Sequence, residues 1–173
     1  MPPAADLSAA GAADPRPAVT VFDIDGVLAD VSHRLHHLSA TPQRWHAFFT
    51  EAKDDDLLPA GAERLEQALE EGAVIYLTGR PEWTRDLTER WLDRHGLPAA
   101  PLFMRANGDR RPARVTKAAV LRTLARQVRI LTMIDDDPAV VRALRSSGWP
   151  VELATWLPHS STLQKAQEDQ GRT

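Results

Sequence analysis

Two carboxylates one residue apart, Asp23 and Asp25, followed at once by Gly26, close the apolar and mostly β-branched run Val19-Thr20-Val21-Phe22. A run of this kind reads as a buried parallel strand. Burying unpaired charge is costly, so the two aspartates belong at the open carboxyl edge of a sheet, where α/β folds bind ligands. Successive strand residues face opposite ways. Both carboxylates reach one site only if the backbone leaves extended geometry after Asp23, and Gly26 supplies the freedom for that turn. Alone, the stretch also reads as a strand end with a polar Asx-turn. Two further strand ends are polar: Thr78-Gly79-Arg80 and Asp135-Asp136-Asp137. Four carboxylates in one crevice, Asp23, Asp25, Asp135 and Asp136, repel one another unless a cation joins them. Oxygen ligands without cysteine suit a hard ion, Mg²⁺ first among them. Lys117 is expected in the first turn of a helix capped by Thr116, where the helix dipole disfavours a cation. A lone lysine there would be a solvated one; beside these strand ends it is placed to neutralise phosphate oxygens. A Mg²⁺ site with a hydroxyl and a lysine is chemistry for phosphate.

The elements that must position these groups follow from periodicity. Strands are predicted over 73–77, 101–104, 130–134 and 151–155 in addition to the first, with helices between them. One helix is predicted over 61–71 with Ala62, Leu65 and Leu69 as its stripe and Gly72 at its end. A second is predicted to start at Pro81 and to carry Trp83, Leu87 and Trp91 on one side. Asp137 and Pro138 read as N-cap and first residue of another. Strands alternating with helices give a doubly wound, parallel five-stranded sheet, and right-handed crossovers bring the polar strand ends to one edge. Residues 31–58 lack strand character and form a small helical, cap-like insertion after the first strand. Asp54-Asp55-Asp56 reads as a solvated turn. His33, His36 and His37 read as a solvated or cap-facing group rather than a metal site.

Composition bounds the function. The 173 residues are 43% hydrophobic and 26% charged, ordinary values for a soluble domain. A net charge of −3 argues against a general polyanion binder but leaves room for a local basic patch. With no cysteine, thiolate metal sites, disulfides and cysteine nucleophiles are excluded. No signal peptide or membrane-length apolar run is evident, so a cytoplasmic protein is expected, with flexible tails over 1–17 and 159–173 flanking a catalytic domain over 18–158.

Taken together, Phe22-Asp23-Ile24-Asp25-Gly26-Val27, Tyr76-Leu77-Thr78-Gly79-Arg80, Lys117 and Met133-Ile134-Asp135-Asp136 resemble the four signature elements of the haloacid dehalogenase (HAD) superfamily, in order, over nearly all of residues 19–156. Val27 stands where the usual motif has Thr. The second aspartate, absent from dehalogenase members, favours phosphoryl transfer. The resemblance implies Asp23 as nucleophile, Asp25 as general acid and base, and Thr78, Gly79 and Lys117 around the phosphoryl group. It also implies Mg²⁺ held by Asp23, the Asp25 carbonyl and Asp135, with Asp136 in support. Arg34, Arg80 and Arg105 further resemble arginines of the phosphatase domain of phage-type polynucleotide kinase-phosphatases, which remove 3′-phosphates from nucleic acid ends. Arg110, Arg111 and Arg114 either extend that patch or form a solvated loop. No G-x-x-x-x-G-K-[ST] stretch is present, so no kinase domain is expected in this chain. The expected activity is that of a Mg²⁺-dependent polynucleotide 3′-phosphatase. The alternatives are a small-molecule or 5′-nucleotidase-like phosphatase and a non-catalytic phosphate-binding module.

Overall fold

The computed structural model describes residues 14–173. Most of the tail expected over 1–17 lies outside the described residues. The first strand, β1 (Ala18–Phe22), leads through a tight turn into a two-residue strand β2 (Ala29–Asp30). The insertion follows, with short helices α1 (His36–Ser39) and α2 (Trp45–Thr50), and closes with β3 (Asp56–Leu57) paired antiparallel to β2. Then come α3 (Pro59–Glu71), β4 (Ala73–Pro81), α4 (Arg85–Arg94), β5 (Leu102–Arg105), α5 (Ala113–Leu124), β6 (Arg129–Asp135), α6 (Pro138–Ser146) and β7 (Val151–Leu153). The five long-range strands make one parallel sheet in the order β5-β4-β1-β6-β7, as the alternating pattern predicts.

Period-two alternation divides the core between the two faces. Phe22, Tyr76 and Ile134 pack with Leu65, Trp91 and Leu92 from α3 and α4. Val21, Ile75, Leu77 and Met133 pack on the other face with Leu121, Val141 and Leu144 from α5 and α6. Burial of each such side chain contributes roughly 1.5–3 kcal/mol. Register then sets the site. Phe22 lies beside both Tyr76 and Ile134, so Asp23, Thr78 and Asp135 emerge together at the carboxyl edge. Chain order reverses between β1 and β6, and this switch point opens the crevice in which α/β sheets bind ligands.

The local boundaries differ from the periodicity in three places. The second main strand runs on to Pro81, and Glu82–Thr84 form a 3₁₀ turn before α4. Trp83 therefore leaves the apolar side of that helix and is 48% exposed. Helix α5 begins at Ala113, with Pro112 before it and no side-chain cap, so Lys117 stands in its second turn and Thr116 is no N-cap. On α3 the buried side is Gly61, Leu65 and Ala68, and Leu69 faces water. Asp137 does cap α6, accepting from Ala139 N–H at 2.8 Å.

The flexible tail expected over 159–173 is instead folded. Helix α7 (Ser161–Gln164) and a π-helical turn over Lys165–Asp169 bury Leu163 and Ala166 against Val31, Leu38, Phe48 and Phe49 of the insertion. Gln170 donates to the Gln43 side chain at 3.0 Å, and the Arg172 guanidinium lies 4.9 Å from the Trp45 ring centroid. This third cluster roofs the carboxyl edge. Among the described residues, no helix is long and apolar enough to cross a membrane.

Replacing Leu163 by Ala is expected to destabilise the chain by about 2–5 kcal/mol in chemical denaturation, as for a buried leucine. A change within about 0.5 kcal/mol, normal for exposed positions, would mean that the segment does not dock.

Candidate active site

The carboxyl ends of β1, β4 and β6 aim the functional side chains. After β1 the Ile24 carbonyl accepts from Val27, Leu28 and Ala29 N–H groups, folding residues 24–29 into one tight loop. Gly26, at φ +76°, lies so close to Asp136 that a Cβ there would stand 2.1 Å from its Oδ2. The loop turns Asp25 back beside Asp23, the placement that the Asp-x-Asp-Gly spacing requires.

The buried groups fall into two linked sets. In the first, Lys117 Nζ donates to Asp23 Oδ2 and to Asp135 Oδ2, each at 2.6 Å. The other oxygens accept backbone N–H groups, Asp23 Oδ1 from Ile24 at 2.7 Å and Asp135 Oδ1 from Asp137 at 3.0 Å. Asp136 Oδ2 meets His159 Nδ1 at 3.1 Å. In the second set, Asp25 Oδ1 accepts from Arg34 Nη2 at 2.8 Å and from Arg80 Nε and Nη2 at 2.9 and 2.6 Å. The same two guanidiniums reach Asp55, whose carboxylate accepts from Arg34 Nε at 2.7 Å and from Arg80 Nη2 at 2.9 Å. Both arginines are fully buried.

Asp55 was not legible as a site residue. The acidic run read as a solvated turn, yet Asp55 is 1% exposed and its backbone carbonyl accepts from Trp91 Nε1 at 2.8 Å. Two buried guanidiniums need more than the single carboxylate of Asp25, and Asp55 supplies the second. His159, expected at the start of a flexible tail, carries no signal of its contact with Asp136 in the sequence. The histidine group divides: His33 Nε2 contacts Asp55, while the buried His37 lies 2.7 Å from Glu51, a carboxylate close in space though distant in the spacing of the motif.

Electrostatics separates the two aspartates of the motif. Burial pushes Asp23 up to about 7; Lys117 opposes the rise and the neighbouring Asp135 adds to it. Asp135 rises to about 6 for the same chief reason. Burial would raise Asp25 too, but Arg34 and Arg80 outweigh it and hold that carboxyl below its ordinary range. Burial opposes the charge on Lys117, and Asp135 and Asp23 overcome it, so the ammonium is retained.

Five buried carboxylates thus meet three buried permanent cations, with His159 at the rim, and negative charge remains in excess. Asp23, Asp135 and Asp136 each offer an oxygen within 4.8 Å of the others, and buried Asp136 Oδ1 has no hydrogen-bond partner. This all-oxygen donor set fits a hard divalent ion. The Asp25 carboxylate, taken up by arginines, stands outside it.

The remaining predicted residues surround this centre. The Thr78 hydroxyl is buried and accepts from Arg80 N–H at 3.2 Å. Gly79 packs against the backbone of Thr173, where a Cβ would lie 2.0 Å from the carbonyl carbon. Arg105 donates to the carbonyls of Gly79, Arg111 and Thr173 and touches none of the site carboxylates.

The family described as polynucleotide kinase PNKP phosphatase domain matches residues 17–153. No curated protein matches the chain in sequence. Among solved structures, a chain of the Pnkp1/Rnl/Hen1 RNA repair complex superimposes with a TM-score of 0.68 at 25% identity, over 88% of this chain and 48% of that one. The present chain therefore spans about half the length of that relative. A class C acid phosphatase from Bacillus anthracis gives a TM-score of 0.60 at 17% identity, over 79% of this chain and 63% of that one. A haloacid dehalogenase-like hydrolase from Streptococcus pneumoniae gives 0.54 at 16% identity, over 89% and 92%. These last two likenesses establish the HAD-like fold.

Asp55→Ala is expected to cost about 3–5 kcal/mol of stability, because it leaves two buried guanidiniums sharing one carboxylate. A denaturation midpoint unchanged from wild type, as for a solvated acidic turn, would contradict the observed pairing.

Proposed function

The chain belongs to the HAD-like phosphatase domain family of polynucleotide kinase-phosphatases, and from that premise we propose that it removes 3′-phosphates from nucleic acid ends or nucleotides through an aspartyl-phosphate on Asp23. The observation that carries the reading is the pairing of a lysine-held Asp23 with an Asp25 clamped at one oxygen and open at the other.

Ile24 N–H and Lys117 each hold one oxygen of Asp23, which fixes the direction of its attack on phosphorus. As that bond forms, the bond from phosphorus to the leaving oxygen breaks, and Asp25 supplies that oxygen with a proton. For that step Asp25 must first gain a proton against the pull of Arg34 and Arg80, and Oδ2, the oxygen that no donor engages, is the atom open to it. Asp25, now a carboxylate, takes a proton from water as the water attacks phosphorus. Inorganic phosphate leaves and Asp23 is free again. The arginine clamp favours the base form that this second step requires.

Arg34 and Arg80 direct their donors to Asp25 and Asp55, which supports a positioning role in place of direct substrate contact. Arg105, bonded to the Gly79 carbonyl, supports the end of β4 that carries Thr78. Thr78 and Lys117 are the groups left to hold the phosphoryl oxygens. Mg²⁺ would be held by Asp23, Asp135 and the Asp25 carbonyl, with Asp136 in support, and would neutralise charge on the phosphoryl group.

Phosphate release is to be compared for one oligonucleotide phosphorylated at its 3′ end and its 5′-phosphorylated isomer. A 3′ preference in kcat/KM of about tenfold or more, some 1.4 kcal/mol of transition-state discrimination, is expected. Chelation should abolish release and added Mg²⁺ restore it, while Asp23→Asn should remain inactive with metal present. Turnover of simple monoesters without preference for either isomer would leave a small-molecule phosphatase. Undiminished turnover by Asp23→Asn would overturn the mechanism.

A further inference from the structure

Beside the carboxyl edge lies a cleft of about 350 Å³ that the phosphoryl chemistry does not use. Its walls are aromatic and cationic: Trp45, His46 and Phe49 from α2, Trp83 from the 3₁₀ turn after β4, and Arg110 and Arg172. Trp83 is held in place by its own N–H, which donates to the Asn107 side chain at 3.0 Å, yet half of its surface faces water. Its ring lies parallel to His46, 4° apart with centroids at 5.3 Å, and Phe49 meets it edge-on at 6.0 Å. A half-exposed tryptophan among three further rings is a cluster, not a scattered surface residue, and such clusters mark binding sites.

Charge narrows the ligand. The basic loop read from the sequence is mostly neutralised: Arg111 pairs with Asp109 and Arg114 with Glu168. Among the described residues, Arg110 and Arg172 have no carboxylate partner, and both line this cleft. Burial, with the like charge of Arg110 added, presses Arg172 below its usual proton affinity, so an anion beside it would be welcome. Connectivity joins the cleft to the catalytic edge. Pro81 on its wall follows Arg80, Phe49 follows the Phe48 ring on which Arg34 stacks, and Arg172 precedes the Thr173 backbone against Gly79.

We propose that this cleft seats a base of single-stranded nucleic acid against Trp83 and its aromatic neighbours, with Arg110 and Arg172 taking an adjoining backbone phosphate. The inference rests on the nucleic-acid reading above for the identity of the ligand. Aromatic stacking accepts any base, because every base presents a π-face, and the arginines hold the phosphate that follows. The expected recognition is thus of single strands with little sequence preference.

The test uses short single-stranded oligonucleotides without a terminal phosphate, so it does not depend on the phosphatase reaction. Binding of a thymidine oligomer and of an abasic oligomer with equal phosphate count is measured by fluorescence anisotropy with the full chain. Wild type is expected to bind the base-containing strand about tenfold more tightly, Trp83→Ala to lose that difference, and Trp83→Phe to recover most of it. Arg110→Ala is expected to weaken both strands and to flatten the salt dependence. Equal affinity for the two strands, no measurable binding of either, or full retention of the difference in Trp83→Ala would each overturn the proposal. Base-dependent binding without 3′-phosphatase turnover would uphold the cleft while removing the reaction proposed above; turnover without base-dependent binding would do the reverse.

Discussion

The constraint on which this structure depends is the cost of collecting carboxylates out of water at the edge of a sheet. Each unpaired ion would cost several kcal/mol. The fold meets that cost with two cationic devices of different kinds. Lys117, projected from the second turn of α5, bridges Asp23 and Asp135 with one ammonium. Arg34 and Arg80, planar and able to donate on several edges, share Asp25 and Asp55 between them. The two devices leave neighbouring aspartates with opposite tendencies, Asp23 raised and Asp25 lowered.

Closure is the second consequence. Arg34 belongs to the insertion and Asp55 directly precedes its return strand, so the clamp on Asp25 forms only when that segment is folded over the edge. The segment is in turn packed from outside by Leu163 and Ala166. His159, which begins the C-terminal segment that carries Leu163 and Ala166, touches Asp136. Core packing, roof and site chemistry are therefore coupled through few residues, and a loss of packing at Phe48 or Leu163 would be felt at Asp25.

The sheet was legible because its strands are apolar β-branched runs that end in polar groups, and register alone aligns those ends. The four signature stretches carried the main site for the same reason. What escaped notice shares one physical cause: a residue's type does not reveal its partner. Asp55 sits in an acidic run that would look the same if solvated, and its burial depends on arginines 21 and 25 residues away. Residues 159–173 offer two apolar side chains, Leu163 and Ala166, in a polar stretch, too few to show a helical face before the insertion they cover is known. Trp83 fits the spacing of Leu87 and Trp91, but the 3₁₀ turn over Glu82–Thr84 rotates it out of their register and into the cleft.

Covalent trapping at Asp23 bears on the account most directly. The enzyme would be quenched with acid during turnover of a phosphorylated substrate, reduced with borohydride, digested and mapped by peptide mass spectrometry. An aspartyl-phosphate at this position would appear as homoserine in place of Asp23, with Asp25, Asp135 and Asp136 unmodified. Reduction at another carboxylate, or none during verified turnover, would contradict the assignment of Asp23 as the group that attacks phosphorus.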